Sequence, residues 1–519
     1  MQTHKIWYNG NNDKTMHIKE VYTMNSIAEI FDNSKQLLDG INSFIDKYMG
    51  SKLLYRCGIK KIVDSVSESR DYDYVDNPIM RLFGREPEKS KILQKCISAK
   101  KILSDKLLLC FYSASAYLMF KKDTFFSDYK KDTFYRFDLN EHANWERLQL
   151  ETAGNVIRDI ESRTDKKHTK VLIFDDSLYL RTGGKGTDLC AKVFDHNDQK
   201  MRKGYRMMTG GWSNGETYVP FSQSLLTTRD PNLMIGRDDP VDGRTLRGKR
   251  RARAKEKGTV VVQNMVMEAR KAGIPFDYVL FDTWFSNPSQ LVALKDIGTN
   301  VIAMIKKNST KYTLIDPKDD QVKSLDVKEI YSRHKKRPGR SKYLLSVNVM
   351  VKDQDGNSAP ARLVYVRNRN KKKQWVCFVC TDMTLEEEQI LRIYTIRWNT
   401  EVYFKVAKSC LKLRTECHST SYDAITAHMV IVAIRYMILA VIRFDSTDNR
   451  GIEEIMYDIR REIVNEMMDC AIILIIDTLL DSIRECFGAT EEQIDQLVCN
   501  FINRLPEMWK SRFTLPKGA

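Results

Sequence analysis

The sequence predicts an α/β protein whose core is preceded and followed by helical regions. Between residues 170 and 307, short apolar segments such as KVLIF and YVLF alternate with segments of helical periodicity, which is typical of strands alternating with helices. The first 165 residues and the residues from 446 onward carry apolar side chains mainly at helical spacing. These flanking regions are therefore predicted to be helical.

Individual elements of the core have clear local signals. KVLIFDDSLYL predicts a strand, and GYRMMTGGWSNGETYVPFSQSLL predicts two strands joined through the turn SNG. TVVVQNMVMEARKAG predicts a helix. In NPSQLVALKDIG, Asn287 is a suitable helix cap, Pro288 suits the first helical position and Gly298 suits the end.

The pattern changes after residue 307. Polar, turn-rich segments such as KYLLSVNVMV and RLVYVRN predict a β-rich insertion, after which QWVCFVC resumes the core as a buried strand. We therefore predict five regions: a helical region (1–165), the first part of the α/β core (166–307), the insertion (308–375), the second part of the core (376–445) and a C-terminal helical region (446–519).

The charge balance indicates a polyanionic partner. The net charge is +16, which favours nucleic acid first and an anionic membrane second. The segments RTLRGKRRARAK, RHKKRPGRSK and RNRNKKK are predicted to be basic loops that contact a DNA backbone. The alternative is an ordinary basic surface made of solvated loops.

Apolar runs and cysteines restrict the cellular setting. Residues 429–444 and 471–480 are interrupted by charges and fall short of the roughly 20 residues that span a bilayer, so we predict buried helices and no membrane association. The first residues lack the apolar centre of a signal peptide. The 11 cysteines are scattered, which suits a reducing cytoplasm. Cys377 and Cys380 are predicted to be structural.

One segment, IYTIRWNTEVYFKVAKSCLKL, mixes aromatic, basic and acidic residues. TLEE predicts a helix capped by Thr384. On a continuous helix of about 100° per residue, Tyr394, Arg397, Glu401 and Lys408 fall within an arc of about 60°. Their chemistry suits phosphate contacts around a metal-binding carboxylate. The alternative is an exposed face with an ordinary Arg397–Glu401 ion pair.

Two more carboxylates close apolar strands. One is Asp175 or Asp176 after KVLIF, and the other is Asp282 after YVLF. Because ligand sites of α/β sheets lie at the carboxyl ends of strands, we expect these acids to converge with Glu401. Three adjacent carboxylates repel one another unless cations neutralise them, and two Mg²⁺ ions would do so. The sequence thus predicts a phosphoryl-transfer site.

These motifs resemble those of bacterial insertion-sequence DDE transposases of the cut-and-paste group. The signature of that group is Tyr, two residues, Arg, three residues, Glu, six residues and Lys, and it is complete here. DDS is similar to the first acidic motif of the family, at Asp175, and FDTWFSN is similar to the second, at Asp282. The resemblance covers residues 170–430 and implies an RNase H-like catalytic domain with a β-rich insertion.

The resemblance also implies roles for individual residues. Asp175, Asp282 and Glu401 would be the catalytic residues, holding Mg²⁺ or Mn²⁺, with two ions in the site. Contacts to DNA phosphates would come from three more residues of the signature: Tyr394, Arg397 and Lys408.

The implied partner is double-stranded DNA, both terminal inverted repeats and target DNA, bound by a homodimer. By analogy with the family, residues 1–165 would be a DNA-binding region for the inverted repeats, residues 166–307 and 376–445 the catalytic core, and residues 446–519 a region that helps to pair two subunits. In the family an aromatic residue of the insertion can stack on a flipped base, whereas Trp375 and Trp398 are predicted to be core residues. A metal-dependent nuclease that cuts without joining and a domesticated DNA-binding protein are the alternatives.

Overall fold

The structure is a computed structural model. It describes residues 32–59, 62–63, 96–112, 115–121, 129–164, 168–196, 198–315, 324–368, 374–446 and 449–506. The chain divides into two compact units: one holds residues 43–110 and 114–453, and the other holds residues 1–42, 111–113 and 454–519.

The described strands belong to a two-stranded pair, β1 and β2, and to one large sheet. Their bounds are β1 Ile62–Val63, β2 Cys96–Ile97, β3 Val171–Leu180, β4 Ala191–Asp195, β5 Lys200–Ser213, β6 Tyr218–Leu226, β7 Tyr278–Phe281, β8 Asn300–Ile305, β9 Lys311–Leu314, β10 Ser324–Asp326, β11 Tyr343–Lys352, β12 Ser358–Arg367 and β13 Trp375–Cys380.

The described helices include one π-helical segment, Ile45–Met49, and one 3₁₀ turn, Leu109–Phe111. The α-helices are α1 Asp32–Phe44, α2 Gly50–Arg56, α3 Ala99–Leu108, α4 Ala116–Lys121, α5 Lys131–Asp138, α6 Trp145–Arg163, α7 Leu246–Ala254, α8 Gly258–Lys271, α9 Pro288–Asp296, α10 Val327–Arg333, α11 Glu387–Thr395, α12 Trp398–Ser409, α13 Tyr422–Asp445, α14 Ile452–Phe487 and α15 Glu491–Arg504.

The centre of the large sheet has the RNase H-like order β6-β5-β3-β7-β8. Strands β3, β7 and β8 are parallel, while β5 pairs antiparallel with both β3 and β6. Parallel neighbours require crossover connections, and α8 and α9 lie in the connections before β7 and between β7 and β8. The predicted α/β, RNase H-like fold is therefore confirmed.

The strands of the β-rich segment extend the same sheet. Strand β13 pairs antiparallel with β8, and β12, β11, β9 and β10 follow outward in that order. Residues 308–375 thus contain the expected strands, together with the short helix α10. Cys377 and Cys380 are buried in β13, as expected of structural cysteines.

Two helices cover strand β6, whose residues are all buried. Helix α6 begins where the Asn144 side chain accepts a hydrogen bond from the Arg147 amide at 3.0 Å, and α6 and α13 pack on each other and on β6. Helix α13 is long and apolar enough to span a membrane, the single such helix in the described chain, and almost all of it is buried. The prediction of a buried helix over residues 429–444 is confirmed.

The second apolar run behaves differently. Residues 471–480 are helical within α14, but Ile475 and Leu479 are 67% and 57% exposed. The prediction that this run is buried is therefore wrong at these two positions. A long helix can extend beyond the residues that cover its apolar face, and the rest of that face is then in solvent. The spacing of apolar residues in the sequence does not show where the covering residues end.

Local signals placed other elements correctly. The Asn287 side chain caps α9 by accepting a hydrogen bond from the Gln290 amide at 3.0 Å, Pro288 begins the helix, and Gly298 follows it with φ of +70°. Gly215, in the turn between β5 and β6, has φ of +98°, a conformation that glycine adopts without strain. The region 1–165, predicted to be helical, lies partly outside the described residues.

Candidate active site

Strand pairing brings the first two candidate carboxylates together. Phe174 on β3 lies opposite Phe281 on β7 in the parallel register, so Asp175 and Asp282 follow side by side. Adjacent strands are about 4.8 Å apart. The Asp282 carboxylate also accepts a hydrogen bond from the Trp284 amide at 2.8 Å, which fixes its orientation in the turn after β7.

Helix α12 supplies the third carboxylate, Glu401, and packs against β3. Arg397 makes the connection: its Nη1 lies 2.6 Å from Asp175 Oδ2, and both Nη atoms lie 3.4 Å from Glu401 Oε1. Asp175, Asp282 and Glu401 line one cavity of about 520 Å³. The expected convergence of the three acids is thus present.

The helix that carries Arg397 and Glu401 differs from its prediction in two respects. It is not continuous: α11 ends at Thr395, and α12 begins at Trp398. The joint is a 3₁₀ turn, since the amides of Arg397 and Thr400 donate to carbonyls three residues earlier. A spacing of 100° per residue does not hold across such a turn.

The start of the helix also differs. The cap is Glu386 with Gln389 in a capping box, not Thr384 with Glu387. Thr384 instead donates from its amide and its hydroxyl to Asp382 Oδ1, at 2.9 and 2.7 Å. Because Thr384 is held in this turn by Asp382, the helix begins two residues later than TLEE predicted.

Asp175 is buried among like charges. The pKa of Asp175 is raised to about 7. Burial is the main cause, Arg397 opposes it, and the neighbouring carboxylates of Asp282 and Glu401 add to the increase. Burial also raises the pKa of Asp282. Such a site is poorly stabilised as a set of three anions, and a bound cation would favour the ionised state.

The structure also bears on the choice between Asp175 and Asp176. Asp176 is paired with Arg206, whose Nη1 lies 2.6 Å from its Oδ2. Asp175, by contrast, is joined through Arg397 to Glu401. Successive residues of a strand point to opposite faces, so the two carboxylates have different neighbours, although both reach the cavity.

Lys408 and Tyr394 reach the site in different ways. Lys408 Nζ donates to Ser177 Oγ, and burial lowers the pKa of Lys408. Tyr394 is buried with its ring edge against Phe378, and its hydroxyl has no hydrogen-bond partner among the described residues. Burial raises the pKa of Tyr394 to about 12, so its hydroxyl is a donor at neutral pH.

An aromatic residue that sequence reasoning missed also lines the cavity. Trp284 is half-exposed, its ring lies 4.5 Å from that of His196, and Lys306 Nζ lies 3.4 Å from the ring centroid. The sequence did contain a sign of this, because Trp284 lies only two residues after the predicted site residue Asp282. Trp375 packs against Tyr331 and Tyr365.

Trp398, in contrast, is 66% exposed. The prediction that it is a core residue is wrong, because it begins α12 on the side turned away from the sheet. Its neighbour Thr400 is fully buried.

The side chains of the cavity are of the kind that binds the predicted metal ions. Carboxylate oxygens suit Mg²⁺ and Mn²⁺, and all three candidate side chains open onto the same cavity. Within the described part of the chain, no three His, Cys, Asp or Glu side chains are already grouped around a metal-sized point. The Arg397 guanidinium contacts two of the three carboxylates instead. The donors fit such an ion, provided that Arg397 moves.

The sheet has the RNase H-like strand order, and its carboxylate cavity is the arrangement expected of an enzyme that acts on the phosphodiester backbone of nucleic acid. Two family models match the chain: DDE superfamily endonuclease matches residues 100–334, and Transposase DDE domain matches residues 248–438. These matches support a DDE transposase, a class of nucleic-acid-cleaving enzymes. No curated protein matches the sequence. Its place in the subgroup with the Tyr-Arg-Glu-Lys signature stays a prediction.

Proposed function

We propose that the protein is a transposase that cleaves DNA at inverted-repeat ends and transfers the freed strand into target DNA. The observation that carries this proposal is the cavity shared by Asp175, Asp282 and Glu401, with Arg397 and Lys408 beside them. Transposase domains act on DNA, and DDE transposase domains generally use divalent metals such as Mg²⁺. The net charge of +16 suits the same partner.

Asp175, Asp282 and Glu401 would hold Mg²⁺ or Mn²⁺, as two ions. When bound, these ions would lower the pKa of a water or hydroxyl nucleophile and neutralise charge on the phosphate. The pairing of Asp176 with Arg206 supports Asp175 as the first ligand. Because Glu401 is 42% exposed, it can change rotamer at little cost.

The cations of the site would position DNA. Arg397 offers a planar fork suited to a phosphate, and Lys408 offers a point charge. Both are now satisfied within the protein, by Asp175 and Ser177. Tyr394 would donate its unpaired hydroxyl to a phosphate oxygen. Holding the nucleophile in line with the scissile phosphate is the main catalytic task of such a site.

The same carboxylates would serve both chemical steps. In the first step water attacks the phosphodiester at the transposon end, and the bond to the 3′-oxygen breaks to leave a 3′-hydroxyl. In the second step that hydroxyl attacks a target phosphate and displaces another 3′-oxygen. We further propose a homodimer on DNA. We also propose a cytoplasmic location, which the scattered positions of the 11 cysteines support.

The test replaces Glu401. Glu401→Ala should lower cleavage of a DNA duplex carrying the sequences that flank the coding region by about 10²- to 10³-fold or more, the order expected when transition-state charge stabilisation is removed. DNA binding should persist. The matched control is Glu388→Ala, an exposed acid on α11, which should cleave normally. Full cleavage by Glu401→Ala would overturn the metal assignment.

A nuclease that cuts without joining is the second candidate, because the matching endonuclease model describes cleavage alone. The two candidates differ in strand transfer. A duplex supplied with its 3′-end already cut should be joined to a supercoiled plasmid by a transposase. A nuclease would give only shorter or nicked products. Binding without either product would indicate the third alternative, a DNA-binding protein that has lost its chemistry.

A further inference from the structure

The position of Arg397 carries an inference that rests on the proposed function. In the free protein its guanidinium contacts the very carboxylates expected to bind metal: Asp175 at 2.6 Å and Glu401 at 3.4 Å. Arg397 is itself largely buried, with a side chain that is 17% exposed. It therefore lies inside the site and not on the outer surface of the helix.

The other cations of the cavity have different partners. Lys408 donates to Ser177, and Arg206 pairs with Asp176. Arg414 lines the same cavity and is exposed, and it contacts neither Asp175 nor Glu401. Among the described residues, Arg397 is thus the cation in direct contact with Asp175 and Glu401.

We infer that Arg397 is the counter-ion of the free active site and changes partner when substrate arrives. A guanidinium and a divalent cation cannot occupy the same side of the Asp175 and Glu401 oxygens, because they repel each other and need the same lone pairs. A DNA phosphate offers Arg397 an equivalent bidentate partner. Movement of Arg397 to the phosphate frees the carboxylates for metal.

Arg397 and Tyr394 lie at the break between the two helices. Arg397 lies in the 3₁₀ joint between α11 and α12, with its amide bonded to the Tyr394 carbonyl at 3.1 Å. The change of partner needs only rotation about side-chain bonds of Arg397, which breaks no backbone hydrogen bond. The unpaired hydroxyl of buried Tyr394 lies beside it, since the Arg397 guanidinium carbon is 6.0 Å from the Tyr394 ring centroid.

The consequence is a coupling between two ligands. If DNA draws Arg397 away, DNA raises the affinity for metal, and by linkage metal raises the affinity for DNA by the same factor. In the absence of DNA, Arg397 competes with metal. The enzyme would thereby assemble its metal site mainly when DNA is bound.

The experiment measures Mn²⁺ binding to the full-length protein without DNA, by the electron paramagnetic resonance of free Mn²⁺. Arg397→Gln should bind Mn²⁺ about 10-fold more tightly than the unaltered protein, a typical allosteric coupling. Arg414→Gln removes the same charge from the same cavity and should change the affinity less than about 2-fold. Arg397→Lys should lie between the unaltered protein and Arg397→Gln, because lysine keeps the charge but not the fork.

The second half of the experiment adds a short DNA duplex at saturation. The unaltered protein should then bind Mn²⁺ about 10-fold more tightly, whereas Arg397→Gln should show little further gain. Thermal unfolding gives an independent reading, because Mn²⁺ should raise the Tm of Arg397→Gln more than that of the unaltered protein. Arg397→Lys, which retains the charge, supplies the comparison if Arg397→Gln is too unstable.

Two failures can be told apart. Equal changes in Arg397→Gln and Arg414→Gln, or no effect of DNA on the unaltered protein, would overturn the counter-ion role alone. Retention of normal Mn²⁺ binding by Glu401→Ala would instead overturn the proposed metal site, and with it the premise of this inference.

Discussion

Two basic segments of the chain look alike in sequence and differ in structure. The first, RTLRGKRRARAK, folds as helix α7 and its flanks, and its cations face carboxylates. Arg250 and Arg251 are 5% exposed. Arg250 pairs with Glu146 at 2.9 Å and with Asp423, while Arg251 pairs with Asp188 at 2.7 Å. The prediction of a loop is wrong for this segment, because most of it is helical, and Arg250 and Arg251 are too deeply buried to contact DNA.

The second segment, RHKKRPGRSK, forms the loop between α10 and β11 in the insertion, together with the end of α10. Arg337 pairs with Glu387 through two hydrogen bonds of 2.5 and 2.6 Å. Lys335, Arg340 and Lys342 are exposed and have no ion pair within the part of the chain that the structure describes. The third basic segment, RNRNKKK, lies mostly outside the described residues.

The difference shows that a run of positive charge is not by itself a binding surface. In α7 each buried arginine meets an acid from a distant part of the chain, so its charge is neutralised inside the protein. In the insertion loop most charges remain in solvent, where they can attract phosphates. The partner's location, which only folding determines, decides between the two outcomes.

The largest effect is expected at Arg250. Arg250→Met should lower the free energy of unfolding by about 3 to 5 kcal/mol, because buried Asp423 would lose its buried partner and keep only Arg247, which is 33% exposed, at 3.2 Å. Urea denaturation measures this decrease. The double variant with Asp423→Asn should recover part of it, since the poorly compensated charge is then gone. A decrease below about 1 kcal/mol, the value of an exposed ion pair, would show that Arg250 contributes no more to stability than an exposed arginine such as those of the insertion loop.

A second cluster of buried charges resembles the buried arginines of α7 in having its partners inside the protein. His428 lies against Glu416 and Arg435, and burial lowers its pKa from 6.5 to about 4. The unfolded chain therefore takes up a proton that the folded chain excludes, so stability is full above pH 6.5 and falls as the pH drops toward 4.

The difference between these two pKa values corresponds to about 3 kcal/mol. His428→Gln should remove most of this dependence between pH 6.5 and 4.5, as measured by urea denaturation at several pH values. An equal acid dependence in the two proteins would show that His428 is protonated inside the fold.

In the insertion loop, substitutions are expected to have a smaller effect on stability and to change the salt dependence of DNA binding. Replacing Lys335, Arg340 and Lys342 together by Gln should leave the unfolding free energy nearly unchanged. The slope of log K for DNA against log salt should become less steep by about 0.9 for each DNA phosphate that these side chains no longer neutralise. Fluorescence anisotropy over a salt series measures this, and an unchanged slope would remove the loop from the interface.

The smallest effect is expected at Arg244, which precedes α7 and pairs with Asp242 while 92% exposed. Arg244→Gln should change neither the Tm nor the slope of log K for DNA against log salt, because the Arg244–Asp242 pair joins near neighbours and is surrounded by solvent. This variant is the matched control for both the Arg250 variant and the insertion-loop variant. A reduced salt slope would mean that the flank of α7, unlike its buried arginines, does reach DNA.

The parts of the fold that were predictable are those with local causes. The strand β3, the capped helix α9 and the turn at Gly215 follow from short patterns that act within a few residues. The break between α11 and α12 was not predictable, because the apolar residues keep helical spacing on both sides of it. The exposure of Trp398 was missed because this residue begins α12 directly after the break.

The sequence by itself determined which chemical groups the site holds: three carboxylates at strand ends and on a helix, with Arg397 and Lys408 at fixed spacing. Tertiary structure decided how they pair. It joined Asp175 to Arg397, and it buried the arginines of α7 on distant acids. The physical reason is range: periodicity and capping act between near neighbours, whereas an ion pair forms wherever folding brings opposite charges close together.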